Sequence, residues 1–336
     1  MPTPAPLNLP WLVGDIGGTN ARFAWIDEPT LQLQHVRTLP VIAHEGPAAA
    51  VRAYLDGLPN DLRTDAQRSP HRAALAIASP IQGDLIEMTN SHWRFSRQAL
   101  QAELGLRSLT VLNDFEALAL SLPGLGPQQL RAHGAAMQAD ATLAVIGPGT
   151  GLGVAGLVPT PAGWLALPGE GGHATLSAAD DFESQLLAHV RRTHEHVSAE
   201  RLLSGIGLPL LHQAVAAVWG RDGAVAMSAQ DVVERGRDGS DALCARTLDA
   251  FCALLGGFAG NVALTLGARG GVYIGGGIVP RLGERFFASA FRDRFEAKGR
   301  YRSCLEAIPS ALITDTLAAL SGAVAAISQV VRNDGA

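Results

Sequence analysis

Carboxylates set among glycines mark the places where this chain could do chemistry. The stretch "WLVGDIGGTNARFAW" (residues 11–25) runs from an apolar strand into Asp15, Gly17, Gly18, Thr19 and Asn20, then turns apolar again. Glycine weakens a buried strand, so its presence here needs a reason. One reason is a hairpin turn, in which the glycines supply the backbone angles and Asp15 and Asn20 cap stray amides. The other is a phosphate cradle, in which unhindered N–H groups approach an oxyanion and Asp15 holds a metal ion beside it. Both readings fit this stretch taken alone.

Asn113 and Asp114, in "NDFEALAL", fall where a predicted buried strand meets a helix. An isolated Asp at such a junction is a helix cap. Strand ends of an open α/β sheet also line the ligand crevice, and a carboxylate there can take a proton from a substrate hydroxyl. The helix N-terminus favours the ionised form that such a base requires. "LPGEGGHATL" places Glu170 and His173 in a glycine-rich turn. Carboxylates accept from hydroxyls and a neutral imidazole can donate or accept, so this pair suits a hydroxyl-rich ligand. A metal at His173 finds no second ligand at a suitable spacing.

In "HEHVSAERLLSGIGL" (194–208), Ser198 reads as a helix N-cap and Glu200 as a favourable first-turn charge. His194 and His196 read as solvated. "GGVYIGGGIVPRL" (270–282) ends a strand in Gly275, Gly276 and Gly277, with Pro280 starting a helix. A tight turn competes with the view that a flat adenine or a phosphate lies against this bare backbone, but three glycines exceed what a turn needs.

Several nucleotide and metal schemes are excluded. Lys298 is the single lysine and lies outside any glycine loop, so neither a Walker A loop nor a protein-kinase strand lysine can exist. Counting G-x-G-x-x-G from Gly147 or Gly149, the last position falls on Leu152 or Val154, which argues against a dinucleotide fold. No HExxH motif is present, and Cys244, Cys252 and Cys304 are too scattered for a zinc site or a disulfide framework. Cys252 sits in an apolar run, as a buried inert thiol does.

The elements that must position these residues alternate between strand and helix. Strands are predicted at 11–17, 20–27, 31–39, 73–78, 84–88 and 108–114, with helices at 47–57, from the cap Ser96 through Leu104, and over "FEALALSL" up to Pro123. Residues 123–140 are rich in Pro, Gly and Gln, a natural place to change domain. Beyond them "TLAVIGPGTGLGVAGLV" (142–158) is strand, glycine turn and strand. Helices dominate 180–266, followed by the strand "GVYIGGG" and, at the end, a strand and an apolar helix. The two glycine hairpins share one plan, which suggests two related α/β halves able to grip a polyphosphate from both sides.

Composition agrees with a globular protein of 336 residues, long enough for two domains. Hydrophobic residues make up 47% and charged residues 17%. The formal charge of −5 supplies no global basic field for nucleic acid or an anionic membrane. "MPTPAPLNLP" lacks a basic n-region and reads as a loose tail rather than a signal peptide. "FCALLGGFAGNVALTLGA" (251–268) could pass for a membrane span, yet its Asn261, Thr265 and glycines fit a helix packed tightly inside a domain. A cytoplasmic protein without a membrane partner is expected.

Taken together, these motifs resemble the bacterial glucokinase family, of the sugar kinase, heat-shock ATPase and actin superfamily. The match runs in order through "LVGDIGGTNARFA", "MTNSHW", "NDFEALAL", "GPGTGLGVA", "LPGEGGH", "EHVSAERLLSG" and "GGVYIGGGIVPR", over nearly the whole chain. The resemblance implies an α/β fold of two actin-like, ribonuclease H-like domains with an interdomain active-site cleft. Residues 1–123 with 317–336 would form the small domain, and 124–316 the large one. It implies ATP-dependent phosphorylation of D-glucose to glucose 6-phosphate, the first step of glucose use in glycolysis, with ATP, Mg2+ and a homodimer. Asp114 would be the base that activates the sugar 6-hydroxyl. Asn113, Glu170, His173 and Glu200 would bind the other hydroxyls, which moves Glu200 from helix charge to ligand.

The turns Gly14, Asp15, Ile16, Gly17, Gly18, Thr19 and Gly149, Thr150, Gly151 would hold the ATP phosphates, with Asp15 at the metal. Gly275, Gly276 and Gly277 would lie near the adenosine. Pro148 departs from the need for amides, since it removes one that could serve a phosphate. The zinc-binding cysteine cluster of the related repressor and open-reading-frame kinases is absent, which places the chain in the other branch. Rival readings are a kinase for another hexose or an N-acetylhexosamine, a sugar-responsive repressor, and an actin-like ATPase. The thirteen residues before Gly14 are too few for the repressor's helix-turn-helix, and an actin-like ATPase has no use for the Asn113–Asp114 and Glu170–His173 set.

Overall fold

The computed structural model describes residues 7–63, 69–136, 138, 140–221 and 225–334; the expected loose tail lies, through Pro6, outside them. The chain divides into two compact units. The first holds the described residues up to Leu125, Pro161–Trp164, and those from Thr316 onward; the second holds Gly126–Thr160 and Leu165–Asp315.

The first unit is built on strands β1 (Trp11–Ile16), β2 (Asn20–Ile26), β3 (Gln34–Pro40), β4 (Arg72–Ile77) and β7 (Ser108–Asn113), with a small hairpin of β5 (Leu85–Glu87) and β6 (Arg94–Ser96) between the last two. The five-stranded sheet has the order β3-β2-β1-β4-β7. β1 and β2 form an antiparallel hairpin, and β1 runs parallel to β4, which runs parallel to β7. Every position of β4 is buried, as expected for a parallel strand covered on both faces. Helix Ala318–Asp334 lies against helix Asp114–Ser121 so closely that a Cβ on Gly322 would strike the Ala117 carbonyl. β3 begins three residues later than the sequence pattern suggests, because the chain turns at Leu31, whose φ of 56° is left-handed and whose N–H donates to Glu28 O at 2.9 Å.

The second sheet repeats the plan. Strands β8 (Leu130–Gly134), β9 (Leu143–Pro148), β10 (Leu152–Thr160), β11 (Gly163–Gly169), β12 (Gly271–Ile274) and β13 (Pro309–Ile313) take the order β11-β10-β9-β12-β13-β8. β9 and β10 form an antiparallel hairpin, and β9 continues into parallel β12 and β13. The kinship of the two glycine hairpins is therefore a kinship of topology: in each unit the hairpin's first strand is followed by two parallel strands.

Helix Ala242–Leu266 is, among the described residues, the one long and apolar enough to cross a membrane, and 78% of its apolar window is buried inside the protein. Its glycines serve close packing: a Cβ on Gly256 would strike Phe291 O, and one on Gly260 would meet Phe295 O at 2.5 Å. Lys298 holds the same helix, its Nζ donating to Gly257 O at 2.8 Å and Asn261 Oδ1 at 2.7 Å. Cys252 is buried, and burial pushes its thiol up to about 12.

His212, on helix Leu208–Val218, is 1% exposed and neither ring nitrogen has a hydrogen-bond partner among the described residues. Burial lowers its pKa, with the Asp241 carboxylate opposing. The folded state thus holds a neutral ring where the unfolded chain binds a proton below about pH 6.5, so stability falls as pH drops through that value. We expect His212→Leu to gain on the order of 1 kcal/mol at pH 7.5, by removing an unpaired polar group, and more at pH 5.5. Urea unfolding at both pH values measures this; an unchanged difference between them would remove His212 from the account.

Candidate active site

The carboxyl ends of β1, β4 and β7 lie side by side: Ile16 pairs with Ile77, and Ile77 with Asn113. Asp15 precedes that row on β1, and Asp114 follows it as the first residue of helix Asp114–Ser121. Two strand spacings, about 10 Å, separate the outer backbones. This is the edge at which open α/β sheets bind ligands.

The turn after β1 comprises Gly17, Gly18 and Thr19, closed by Gly17 N–H donating to Asn20 O at 2.9 Å. Gly14 and Ile16 belong to the strand, and Ile16 is part of the core. A Cβ on Gly14 would lie 2.7 Å from Leu75, so packing by itself demands glycine there. One on Gly18 would lie 2.5 Å from Asn90 O, which sets the turn against the "MTNSHW" loop. Asp15 pairs in register with Arg22. Burial raises the Asp15 carboxyl and the Arg22 charge works in the opposite direction. A cation brought to this carboxylate would restore what burial takes away. The described residues contain no group of three or more His, Cys, Asp or Glu able to hold a metal. The single Asp15 carboxylate beside a glycine turn is a donor set that would suit Mg2+, which is commonly bound by one or two carboxylates together with substrate phosphates.

Asn113 caps the helix, its Oδ1 accepting from Phe115 N–H at 2.9 Å, while its Nδ2 donates to Ser79 O at 3.2 Å. Asp114 Oδ1 accepts from the same Phe115 N–H at 3.0 Å. The capping duty therefore rests on Asn113 as well as on Asp114. Ser79, just past β4, was not singled out in the sequence; its signal is "SP" directly after an unbroken apolar run. Its Oγ takes the Thr89 N–H at 2.8 Å and so binds the 88–93 loop to this edge.

In the second unit the glycine stretches meet at one place, the bend between β9 and β10. Gly149 and Gly151 flank Thr150 there, and Gly149 is open on the side a Cβ would occupy. Gly205 N–H donates to Gly149 O at 2.8 Å, and Ile278 N–H to Pro148 O at 3.1 Å. Gly275 N–H donates to Ile146 O at 2.7 Å, Gly276 has φ 77° with its missing Cβ directed at Pro148 O, and Gly277 is open. The turn carrying Glu170 and His173 packs on the same bend: a Cβ on Gly172 would strike Leu152 O, and one on Gly171 would press on Val154 at 3.1 Å.

Glu200 arrives from the other side. Ser198 caps the short helix Ala199–Leu202, accepting from Arg201 N–H, and bridges to Thr175. That bridge fastens Glu200 beside the 170–173 turn. His173 Nε2 lies 3.7 Å from Glu200 Oε1 and 4.0 Å from Glu170 Oε2. His173 and Glu200 face a cavity of about 350 Å3, which also touches His194, Ser198, Arg201 and Leu210. His194 is thus half-buried at the cavity, with Nδ1 2.9 Å from Thr193 Oγ1, and is not simply solvated as its sequence suggests. His196 is exposed, its Nε2 3.0 Å from Thr175 Oγ1. Gly205 and Ile206 also escaped the sequence reading, although "SGIG" was a visible glycine signal.

A glucokinase family model matches residues 12–330. The glucokinase of Chromobacterium violaceum is 49% identical over 326 residues, covering 97% of this chain and 91% of that protein. Among solved structures, a glucokinase from an Antarctic psychrotroph superposes with a TM-score of 0.86 at 37% identity, over 95% of this chain and 98% of that one. A glucokinase from Balamuthia mandrillaris, solved in complex with glucose, shares the fold at a TM-score of 0.75 and 20% identity, over 94% and 92% of the two chains. The two repeated α/β units are those of the actin-like sugar kinases, and with the motifs in family order along this length the chain belongs to the glucokinase family.

Proposed function

We propose that the chain transfers the terminal phosphoryl group of ATP to the 6-hydroxyl of D-glucose, giving glucose 6-phosphate at the entry to glycolysis. The observation that carries this reading is the gathering of Glu170, His173 and Glu200 against the Gly149–Gly151 bend. Hydroxyl-binding groups beside bare backbone amides suit a site that handles a polyol and a phosphate together. Asp114 takes the proton of the 6-hydroxyl as the bond to phosphorus forms, and Asn113 orients the sugar beside it. Glu170, His173 and Glu200 bind the remaining hydroxyls. Amides of Gly18 and Thr19, and of Thr150 and Gly151, receive the phosphates, while the Gly17 and Gly149 N–H groups close their turns on Asn20 O and Gly151 O; Gly277 leaves room for the adenosine. Asp15 would hold Mg2+, which supplies charge neutralisation to the phosphates when bound. A cytoplasmic homodimer completes the proposal.

A coupled ADP-release assay across glucose, mannose, fructose, glucosamine and N-acetylglucosamine tests it. Glucose is expected to be turned over best, and activity confined to an acetylated amino sugar would overturn the substrate. We further expect Glu170→Gln to lose a charge-assisted acceptor worth about 1.5–3 kcal/mol, raising the glucose KM roughly ten- to a hundredfold. His173→Ala should raise the same KM. Both should leave the ATP KM nearly unchanged. Variants that lost ATP affinity and kept the wild-type profile over deoxy and epimeric glucoses would move these residues to the nucleotide.

A further inference from the structure

The two oxygens of Glu200 face different neighbours. Oε2 accepts from the Leu152 N–H at 2.8 Å, at the first residue of β10, and Oε1 faces His173 Nε2 at 3.7 Å. The carboxylate is also packed on the bend itself, because a Cβ on Gly151 would strike Oε2. Leu152 stands opposite Pro148 as a non-hydrogen-bonded pair: Pro148 O accepts from Ile278 N–H at 3.1 Å, so this closing pair exchanges no ladder hydrogen bond and the Leu152 N–H faces away from β9. Glu200 takes that outward N–H and so holds the start of β10 from outside the ladder. The chain just beyond its helix adds two more, Gly205 N–H to Gly149 O at 2.8 Å and Ile206 N–H to Thr150 O at 3.4 Å.

We propose that Glu200 is a positioning residue for the nucleotide as well as a sugar ligand. It sets the Thr150 and Gly151 amides through Leu152, and it ties that bend to His173 through its other oxygen. The inference rests on the reading above, in which this bend receives phosphates. Under it, nucleotide affinity depends on Glu200 even when no sugar is present, an effect that a residue touching only glucose cannot produce.

The test is calorimetric titration of sugar-free protein with MgADP, together with amide hydrogen exchange at Leu152. Glu200→Ala should weaken MgADP by about tenfold, the size of a lost charged hydrogen bond, and speed Leu152 exchange. Glu200→Gln keeps an oxygen for the Leu152 N–H, so it should stay within about threefold while the glucose KM rises. Gly151→Ala leaves Glu200 in place but pushes its carboxylate off, so it reports the same effect should Glu200→Ala fail to fold. Added to Glu200→Ala, it should weaken MgADP less than it does alone, because the obstructing oxygen is gone. Wild-type MgADP affinity in Glu200→Ala, unchanged Leu152 exchange, or additive losses in the double variant would each overturn the role. Wild-type protein that bound no MgADP would instead sink the phosphate reading, a result these comparisons keep separate.

Discussion

Asp114→Asn should abolish turnover while glucose binds within about tenfold of wild type. The amide preserves the size and hydrogen-bonding outline of the side chain and removes the group that accepts the proton. General-base catalysis contributes roughly 10²–10⁴-fold, and this residue also aims the attacking hydroxyl, so the loss should lie at the upper end. The fold gives little reason for a stability defect. Asn113 already accepts from the Phe115 N–H at 2.9 Å and caps the helix, and the amide oxygen of the variant can still accept from that N–H; the helix-end charge that is lost is worth typically 0.3–1 kcal/mol. Pre-steady-state turnover, calorimetric glucose binding and urea unfolding on the same variant make the case. A near-normal kcat would take Asp114 out of the catalytic role. Loss of glucose affinity in parallel with loss of stability would show a folding defect instead.

The second large effect is expected at Asp15. Asp15→Ala should lower kcat/KM for MgATP by 10²–10³-fold, the scale of removing one group that stabilises charge on a transferring phosphoryl. Glucose binding without nucleotide should change less than about threefold. Arg22, the cross-strand neighbour, would lose its partner charge but keep its hydrogen bonds to Thr316 O at 2.7 Å and Thr38 Oγ1 at 3.4 Å. The strand itself should survive, since alanine fits among the packed residues of β1. Titration of kcat/KM against free Mg2+ separates the outcomes. A variant that recovers with excess Mg2+ fits a weakened metal ligand. A wild-type Mg2+ dependence would move the metal away from Asp15.

Much of this architecture was legible from residue order. Apolar runs that end in glycine or in a polar residue announced β1, β4, β7, β9 and β12, because a buried strand and its ligand edge need different chemistry within one or two positions. The likeness of the two glycine hairpins carried through to the topology of both sheets. The single lysine, placed outside any glycine loop, excluded two nucleotide schemes, and its actual partners, Gly257 and Asn261, are a helix it fastens. The small residues of helix Ala242–Leu266 signalled close packing, since only a missing side chain allows the Phe291 and Phe295 carbonyls so near its backbone.

Other features depend on residues far apart in the chain, and no local pattern encodes them. Glycines that look alike in sequence do different things: Gly14 makes room for Leu75, Gly172 and Gly276 let backbone meet backbone, and Gly149 and Gly277 stand open. Which of these applies is set by what packs opposite, a property of the neighbour rather than of the glycine. Glu200 shows the same division most clearly. Four residues of short helix and the cap at Ser198 account for it fully as a first-turn charge. Only the bridge between Thr175 and Ser198, and the fold of Leu152 beneath it, bring its two oxygens to His173 and to the hairpin amide. Residue types and spacing determined which groups were available and that the chain would form two similar α/β halves. The pairing of those groups was decided by tertiary contact, because a hydrogen bond reaches about 3 Å and sequence distance carries no information at that range.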